Sequence, residues 1–303
     1  MNVRFDRLSL LETFVRIAER GSLSAAARDL NISQPSVSRQ LAALEARIGV
    51  VLARRTTHDL ALTPDGKALL ADARRLLSEW EAIEDRHAGA DAVRGTVRVI
   101  APVALGQGLL VEPATAFLKA HPHTSLAWRL TDETIRFAEE GCDAWVKVGP
   151  VPDETLVVRE LGCVERIVVG TPACLAAGGG GGLATLPWLT LGPFEGSRIE
   201  LFDGSGPVQS FKVTPRMASD NIIALRQAVL ADLGVAIMPR WFVTGDLSAG
   251  RLMDAAPGLK AAHLAINLAL ASGTKRPARV EHFAAALEEW GRLNLQNANA
   301  QSA

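Results

Sequence analysis

Between residues 1 and 66 the apolar positions fall at helical spacing and are punctuated by turn signals. Leu10, Phe14 and Ile17 make one buried stripe. Ser9-Leu10-Leu11-Glu12 reads as a capping box at its start, and Gly21, free to take positive φ, as its end. Ser22 caps a second helix, SLSAAARDL, whose small alanines let another helix approach closely. Asn31-Ile32-Ser33 is a short turn. Ser33 then caps a third helix, and Pro35 falls in its first turn, where a missing N–H costs little. In that helix Val37, Leu41, Leu44 and Ile48 face inward, leaving Gln34, Ser36, Ser38, Arg39 and Gln40 outside. After Gly49, the stretch Val51–Thr63 alternates like a hairpin.

A long helical stretch follows over 65–90. Leu69, Ala73, Leu76, Trp80 and Ile83 are spaced by 4, 3, 4 and 3 residues, an a/d seam suited either to a second copy of the chain or to its own domain. The sequence loosens at 88–95 (AGADAVRG), a linker. Beyond Gly95 short β-rich runs (TVRVIAP, SLAWRL, WVKVG) alternate with helical ones, predicting an α/β sheet, largely parallel. The glycines at 178–182 read as a surface loop: no GK[ST] follows them, so they are no phosphate loop.

A short helix, a tight turn and a helix with a polar outward N-terminal end are the geometry of a helix-turn-helix, here with a hairpin wing. The net charge is only −1, but between Gln34 and Thr57 four arginines (39, 47, 54, 55) stand against one glutamate, a local excess that suits a modular DNA binder. Gln and Arg reach base edges bidentately, Ser reaches bases or phosphates, and a helix N-terminus favours phosphate. The expected DNA contacts are therefore Ser33, Gln34, Pro35, Ser36, Ser38, Arg39 and Gln40, with Arg54 and Arg55 of the wing near the backbone.

The stretch from Phe14 to Leu70 resembles the N-terminal domain of LysR-type transcriptional regulators. The resemblance rests on Gly21-Ser22, Ala25-Ala26-Ala27, Leu30, Ser33-Gln34-Pro35, Ser38-Arg39-Gln40, Leu44-Glu45, Gly49, Leu52, Arg55-Thr56, Leu62-Thr63 and Gly66. Two departures stand out: Ala53 where the family commonly has Phe, and His58-Asp59 at the wing tip where a basic residue and Gly are usual. The resemblance continues through RGTVRVIAP, CDAWVKVGP, LGCVERIVVGTPACL and SDNIIALRQAVLADLGVAIMPRW. It implies an all-α winged helix-turn-helix N-terminal domain over 6–63 (helix-turn-helix about 23–42) and a dimerising linker helix over 64–90. An α/β two-lobed, periplasmic-binding-protein-like effector domain follows over 94–295, with lobe I at 95–163 and 267–295 and lobe II at 164–266. The implied partners are double-stranded DNA, a small-molecule effector and further copies of the chain, as homodimer or homotetramer.

Ligands of α/β sheets sit beyond the carboxyl ends of strands. The candidate effector contacts are Pro102, Val103 and Ala104 after the first strand, Thr131 and Asp132 after the second, and Val148 and Gly149 after the third. Ser219, Asp220 and Asn221 precede a helix whose N-terminus favours anions; Ser219 and Asp220 are equally good N-caps. Family members often carry Ser or Thr after the first strand to hold a carboxylate. Ala101-Pro102-Val103-Ala104 departs from that pattern, which weakens the case for a carboxylate held there and points to an effector with a more apolar or aromatic part.

Other chemistry is sparse. Cys142, Cys163 and Cys174 form no CxxC; Cys163 and Cys174 are either a redox pair or small buried residues. His121-Pro122-His123 has no companion ligand at metal spacing. No GxSxG, HExxH or Walker motif supports an enzyme, and no cofactor is expected. The N-terminus has no apolar signal region and no window is long and apolar enough to span a bilayer, so a cytoplasmic protein is expected rather than a solute-binding transport component.

Overall fold

The computed structural model describes residues 6–55, 60–87, 93–178, 181–192, 198–203, 205–272 and 276–295. In chain order come α1 (Arg7–Arg20), α2 (Leu23–Asp29), α3 (Gln34–Ile48), β1 (Ala53–Arg55), β2 (Leu60–Leu62) and α4 (Pro64–His87). Then follow β3 (Gly95–Ala101), α5 (Val103–Gln107), α6 (Val111–Ala120), β4 (Thr124–Leu130), α7 (Phe137–Glu140), β5 (Ala144–Val148), β6 (Leu156–Gly170), α8 (Pro172–Ala177) and β7 (Leu189–Leu191). The chain finishes with β8 (Arg198–Asp203), β9 (Gly206–Lys212), β10 (Met217–Ser219), α9 (Ile222–Leu230), β11 (Ala236–Pro239), α10 (Arg240–Ser248), β12 (Met253–Asp254), β13 (Lys260–Ala271) and α11 (Ala278–Asn294). Two compact units result: Met1–Gly95 with Ile135–Cys142 and Gly273–Glu281, and Thr96–Thr134 with Asp143–Ser272 and His282–Ala303.

In the first unit Leu10, Phe14, Ile17, Leu23, Ala26, Val37, Leu41, Leu44 and Leu52 form one core. Ser22 caps α2 by accepting from the Ala25 amide, and Gly21 and Gly49 end α1 and α3 with φ of 58° and 85°. The expected cap of α1 moves by one turn: Asp6, not Ser9, is the N-cap, and its carboxylate accepts from the Ser9 amide. An acidic side chain there also complements the helix dipole, which the Ser9 hydroxyl does not. Ile48, expected inside, is 47% exposed because α3 has run past its partners by its last residue. β1 and β2 pair antiparallel, Ala53 opposite Leu62 and Arg55 opposite Leu60; the wing tip with His58 and Asp59 lies outside the described residues.

The start of α4 is pressed against the wing. The Thr63 hydroxyl donates to the Val51 carbonyl and accepts from the Gly66 amide. A Cβ on Gly66 would lie 2.0 Å from the Leu52 carbonyl oxygen, so only glycine fits. Glu45 of α3 accepts from the Leu52 and Ala53 amides and fixes the same corner. Along α4, Leu70, Ala73 and Ala82 are buried, while Leu76, Trp80 and Ile83 of the heptad seam are exposed.

The second unit is built on one sheet with the path β11-β6-β13-β5-β3-β4; β12 adds to β6, and β8 and then β9 add to β13. The sheet is mixed, not largely parallel: β6, β8, β11, β12 and β13 pair antiparallel, and β5 pairs parallel with β3 but antiparallel with β13. Alternation of helix and strand along the chain conceals this. The long strands β6 (15 residues) and β13 (12 residues) run past each other in opposite directions and need no crossover. The lobe boundaries expected at 163/164 and 266/267 fall inside these continuous strands. Their pairing slips there: Ile266 faces Gly162 but Asn267 faces Glu160, leaving Leu161 as the bulged residue. Gly162 takes φ 139°, which other residues rarely adopt.

Candidate DNA-reading surface and effector cleft

The inner side of α3 is set by Val37, Leu41 and Leu44, all buried. Its outer N-terminal edge carries Ser33, Gln34, Pro35 and Arg39 exposed, with Ser36 and Ser38 half-buried. Ser33 accepts from the Ser36 amide, and Pro35 lies in the first turn. Asn31, with φ 52°, turns the chain from α2 into α3.

Gln40 departs from expectation. It is 6% exposed, and its carbonyl oxygen accepts from the Thr13 hydroxyl of α1 at 2.8 Å. The clue lay in the periodicity. Thr13 belongs to the stripe Leu10, Thr13, Phe14, Ile17, and Gln40 to the stripe Val37, Gln40, Leu41, Leu44, at identical spacing. Two polar residues at facing stripe positions satisfy each other inside; reading polarity instead of position put Gln40 outside.

Arg39, Arg47 and Arg54 have no ion-pair partner among the described residues. The side chain of Arg55 lies outside them. By contrast Arg16 and Arg20 are tied to Asp29, and Arg16 also to Glu19. The charge left unneutralised on this unit therefore includes the third helix and the wing. Arg28, exposed in the last turn of α2, is a further cation that the sequence reading passed over.

The second unit holds a cleft of about 880 Å³, counted to its open mouth. Pro102, Ala104, Thr131, Asp132, Val148 and Asp220 line it. Val103, Gly149, Ser219 and Asn221 are not among its lining residues and serve the frame around it. The Val103 amide donates to Asp132, the Gly149 amide to the Ala265 carbonyl, and the Ser219 hydroxyl accepts from the Asn221 amide. Neither Ser219 nor Asp220 caps α9; Asn221 does, accepting from the Ile223 and Ala224 amides. The Asn221 side-chain amide also donates to Asp132 at 3.1 Å, so the strand-end loop carrying Asp132 and the start of α9 are joined. Burial raises the Asp132 carboxyl above its ordinary range, and the hydrogen bonds from Val103 and Asn221 only partly offset it.

The sequence reading missed most of the cleft's interior. Trp145 and Lys147 of β5 lie two residues apart, hence on one face, and the Lys147 ammonium stands 5.6 Å from the Trp145 ring centroid. Leu105, Val164, Ile237, Leu264 and Trp241 add apolar wall, and Arg166, 7% exposed, donates its Nε–H to the Ala262 carbonyl. The alternation in WVKV carried the signal; attention to strand ends hid it. Behind the cleft, Asp246 is gripped by Arg226 at 2.6 and 2.8 Å and by Arg251. Glu165 is held by Lys260 and Arg240.

All three cysteines are buried thiols outside any disulfide, and burial pushes the Cys163 and Cys174 thiols up, away from the reactive thiolate. Among the described residues no group of three His, Cys, Asp or Glu side chains is placed to hold a metal. No helix among them is long and apolar enough to cross a membrane.

Two family models match the chain: bacterial regulatory helix-turn-helix protein, lysR family, over residues 8–67, and LysR substrate binding domain over 90–292. Among curated relatives, the uncharacterised helix-turn-helix regulator YhjC of Escherichia coli K12 is 28% identical over 289 residues, covering 92% of this chain and 95% of that protein. Among solved structures, a full-length cysteine-to-aspartate variant of OxyR from Pseudomonas aeruginosa superposes with a TM-score of 0.72 at 18% identity, covering 96% of each chain. Full-length LysG of Corynebacterium glutamicum, solved with its effector arginine, gives 0.65 at 20% identity, covering 96% of this chain and all of that one.

Proposed function

The chain belongs to the LysR family of DNA-binding, effector-responsive transcriptional regulators, which are not enzymes, and we propose that it reads operator DNA with the N-terminal edge of α3. Ser33, Gln34, Pro35, Ser36, Ser38 and Arg39 enter the major groove, while Arg54 and Arg55 of the wing hold the backbone. The observation that carries this reading is the division of α3 into a locked inner side and an exposed polar edge bearing Arg39, which has no ion-pair partner among the described residues. Gln40 belongs to the locked side.

Regulators of this family bind DNA and small effectors and act as oligomers. Here the exposed seam Leu76, Trp80 and Ile83 is the surface on which α4 of a second copy packs. A dimer presents two recognition helices to half-sites about 34 Å, one helical turn, or a multiple of it apart. The effector occupies the cleft lined by Pro102, Ala104, Thr131, Asp132, Val148 and Asp220, and its binding shifts the population between two arrangements of the reading heads. The protein works in the cytoplasm, where its DNA is.

The test is binding to the DNA upstream of its own gene, followed by fluorescence anisotropy across salt concentrations. Wild-type affinity falls steeply with salt, because phosphate contacts release counterions. Arg39→Ala loses roughly tenfold or more in specific affinity. An Arg39→Ala protein that binds the operator as tightly as wild type removes α3 from the role.

A further inference from the structure

Within the effector cleft, we propose that the ligand is an organic anion, a carboxylate on a flat apolar body, and that Lys147 is its counter-ion. The inference deepens the cleft assignment above and rests on it.

The charges around the cleft are not equivalent. Glu133 and Asp220 are exposed at the rim, where water screens them; Asp132 is partly withdrawn from water, which raises its carboxyl, and it is already met by the Val103 amide and the Asn221 side chain. Arg166 is engaged by the Ala262 carbonyl. Lys147 differs from all of these. It rises from the middle of the sheet, beside buried Trp145 and Val146 and opposite Asn267 of β13. Among the described residues no carboxylate lies within ion-pair distance of it; its contact is the face of Trp145. Asn267, its cross-strand polar neighbour, spends its amide on the Gly149 carbonyl. Burial accordingly pulls the Lys147 ammonium below the usual lysine range.

A cation half-withdrawn from water without a counter-ion is the group whose free energy a ligand improves most, by bringing the missing negative charge. The surroundings set the rest of the ligand. Leu105, Val164, Ile237, Leu264 and Trp241 offer apolar surface to a body of aromatic size. The Trp241 indole N–H is buried with no acceptor among the described residues, a spare donor at the same cleft. A cationic ligand would face Lys147 directly. A small hydrophilic anion would leave the apolar wall unused.

Three probes of one shape separate the charges: benzoate, benzamide and benzylamine, titrated into the full-length protein and read by calorimetry. Benzoate is expected to bind, with benzamide and benzylamine weaker by roughly tenfold or more, the worth of a charge-assisted contact. Lys147→Met should erase the preference for benzoate, while Lys147→Arg should keep it. Benzoate affinity should also fall as pH rises through the lowered Lys147 pKa. Equal binding of the three probes, no benzoate binding, or full benzoate affinity in Lys147→Met overturns the proposal. Leu264→Trp, which fills the cleft, separates the two levels. If it abolishes benzoate binding and Lys147→Met does not, the cleft stands and the anion assignment falls. If benzoate binds Leu264→Trp unchanged, the cleft assignment itself falls.

Discussion

Replacing Gln40 by Met and Thr13 by Val, singly and together, distinguishes a base-reading Gln40 from a structural one. Both exchanges keep shape and remove polarity. Thr13 is 2% exposed, and its hydroxyl donates to Gln40 at 2.8 Å. Gln40→Met leaves that hydroxyl buried without its acceptor, at a cost of about 1–3 kcal/mol; Thr13→Val strands the glutamine carbonyl at a similar cost. With both exchanged, two apolar groups of matching shape meet and the loss is close to nil. The cycle should therefore return a coupling of roughly 2–6 kcal/mol between the two sites, the two single losses together. Unfolding of the full chain is not a single two-state transition, so the assay is hydrogen exchange of the amides in α1 and α3, which reports opening of this helix pair. Operator affinity is measured in parallel at one salt concentration. If Gln40 contacted an adenine, its loss would cost about 1–3 kcal/mol of specific binding whatever Thr13 is. The structural assignment instead predicts that the double variant keeps both protection and affinity. A double variant with intact protection in α1 and α3 but roughly tenfold weaker operator binding would refute it.

Three further outcomes follow from the packing. Gly66→Ala should displace the start of α4 from Leu52, because its Cβ would sit 2.0 Å from a backbone oxygen; loss of exchange protection across β1 and the first turn of α4, by about 1–3 kcal/mol or more, is the readout. Asp246 is 1% exposed, and although burial raises its carboxyl, hydrogen bonds from Arg226 and Arg251 hold it below the ordinary aspartate value. Its stabilisation is complete above that ordinary value and fades as pH falls through the lower folded one. Asp246→Asn should therefore lower stability at neutral pH, toward the low end of about 3–5 kcal/mol since Arg226 and Arg251 reach solvent, and flatten the acid limb of a melting-temperature profile. Trp80→Glu, at an exposed seam position, should shift sedimentation toward the monomer without changing exchange protection in α1–α3; an unchanged oligomer moves the dimer contact elsewhere.

What the sequence determined alone was local. Ser22, Ser33, Pro35, Gly21 and Gly49 mark helix ends because capping and positive φ are properties of one residue and its near neighbours. The stripe through Phe14 and Val37 was legible because helical spacing names a face without naming its partner. Only the tertiary structure decided what those faces meet. Gln40 turned inward because Thr13 waits on another helix, and Asn221 became the joint to Asp132 because β4 ends beside the start of α9, the two residues 89 apart in sequence. The mixed sheet arose from long strands whose direction no alternation of apolar residues records. The cleft's interior likewise depends on which strands lie together: nothing in WVKV says which groups will surround Lys147. That is a property of the space around it, and space is assembled from residues that the sequence keeps far apart.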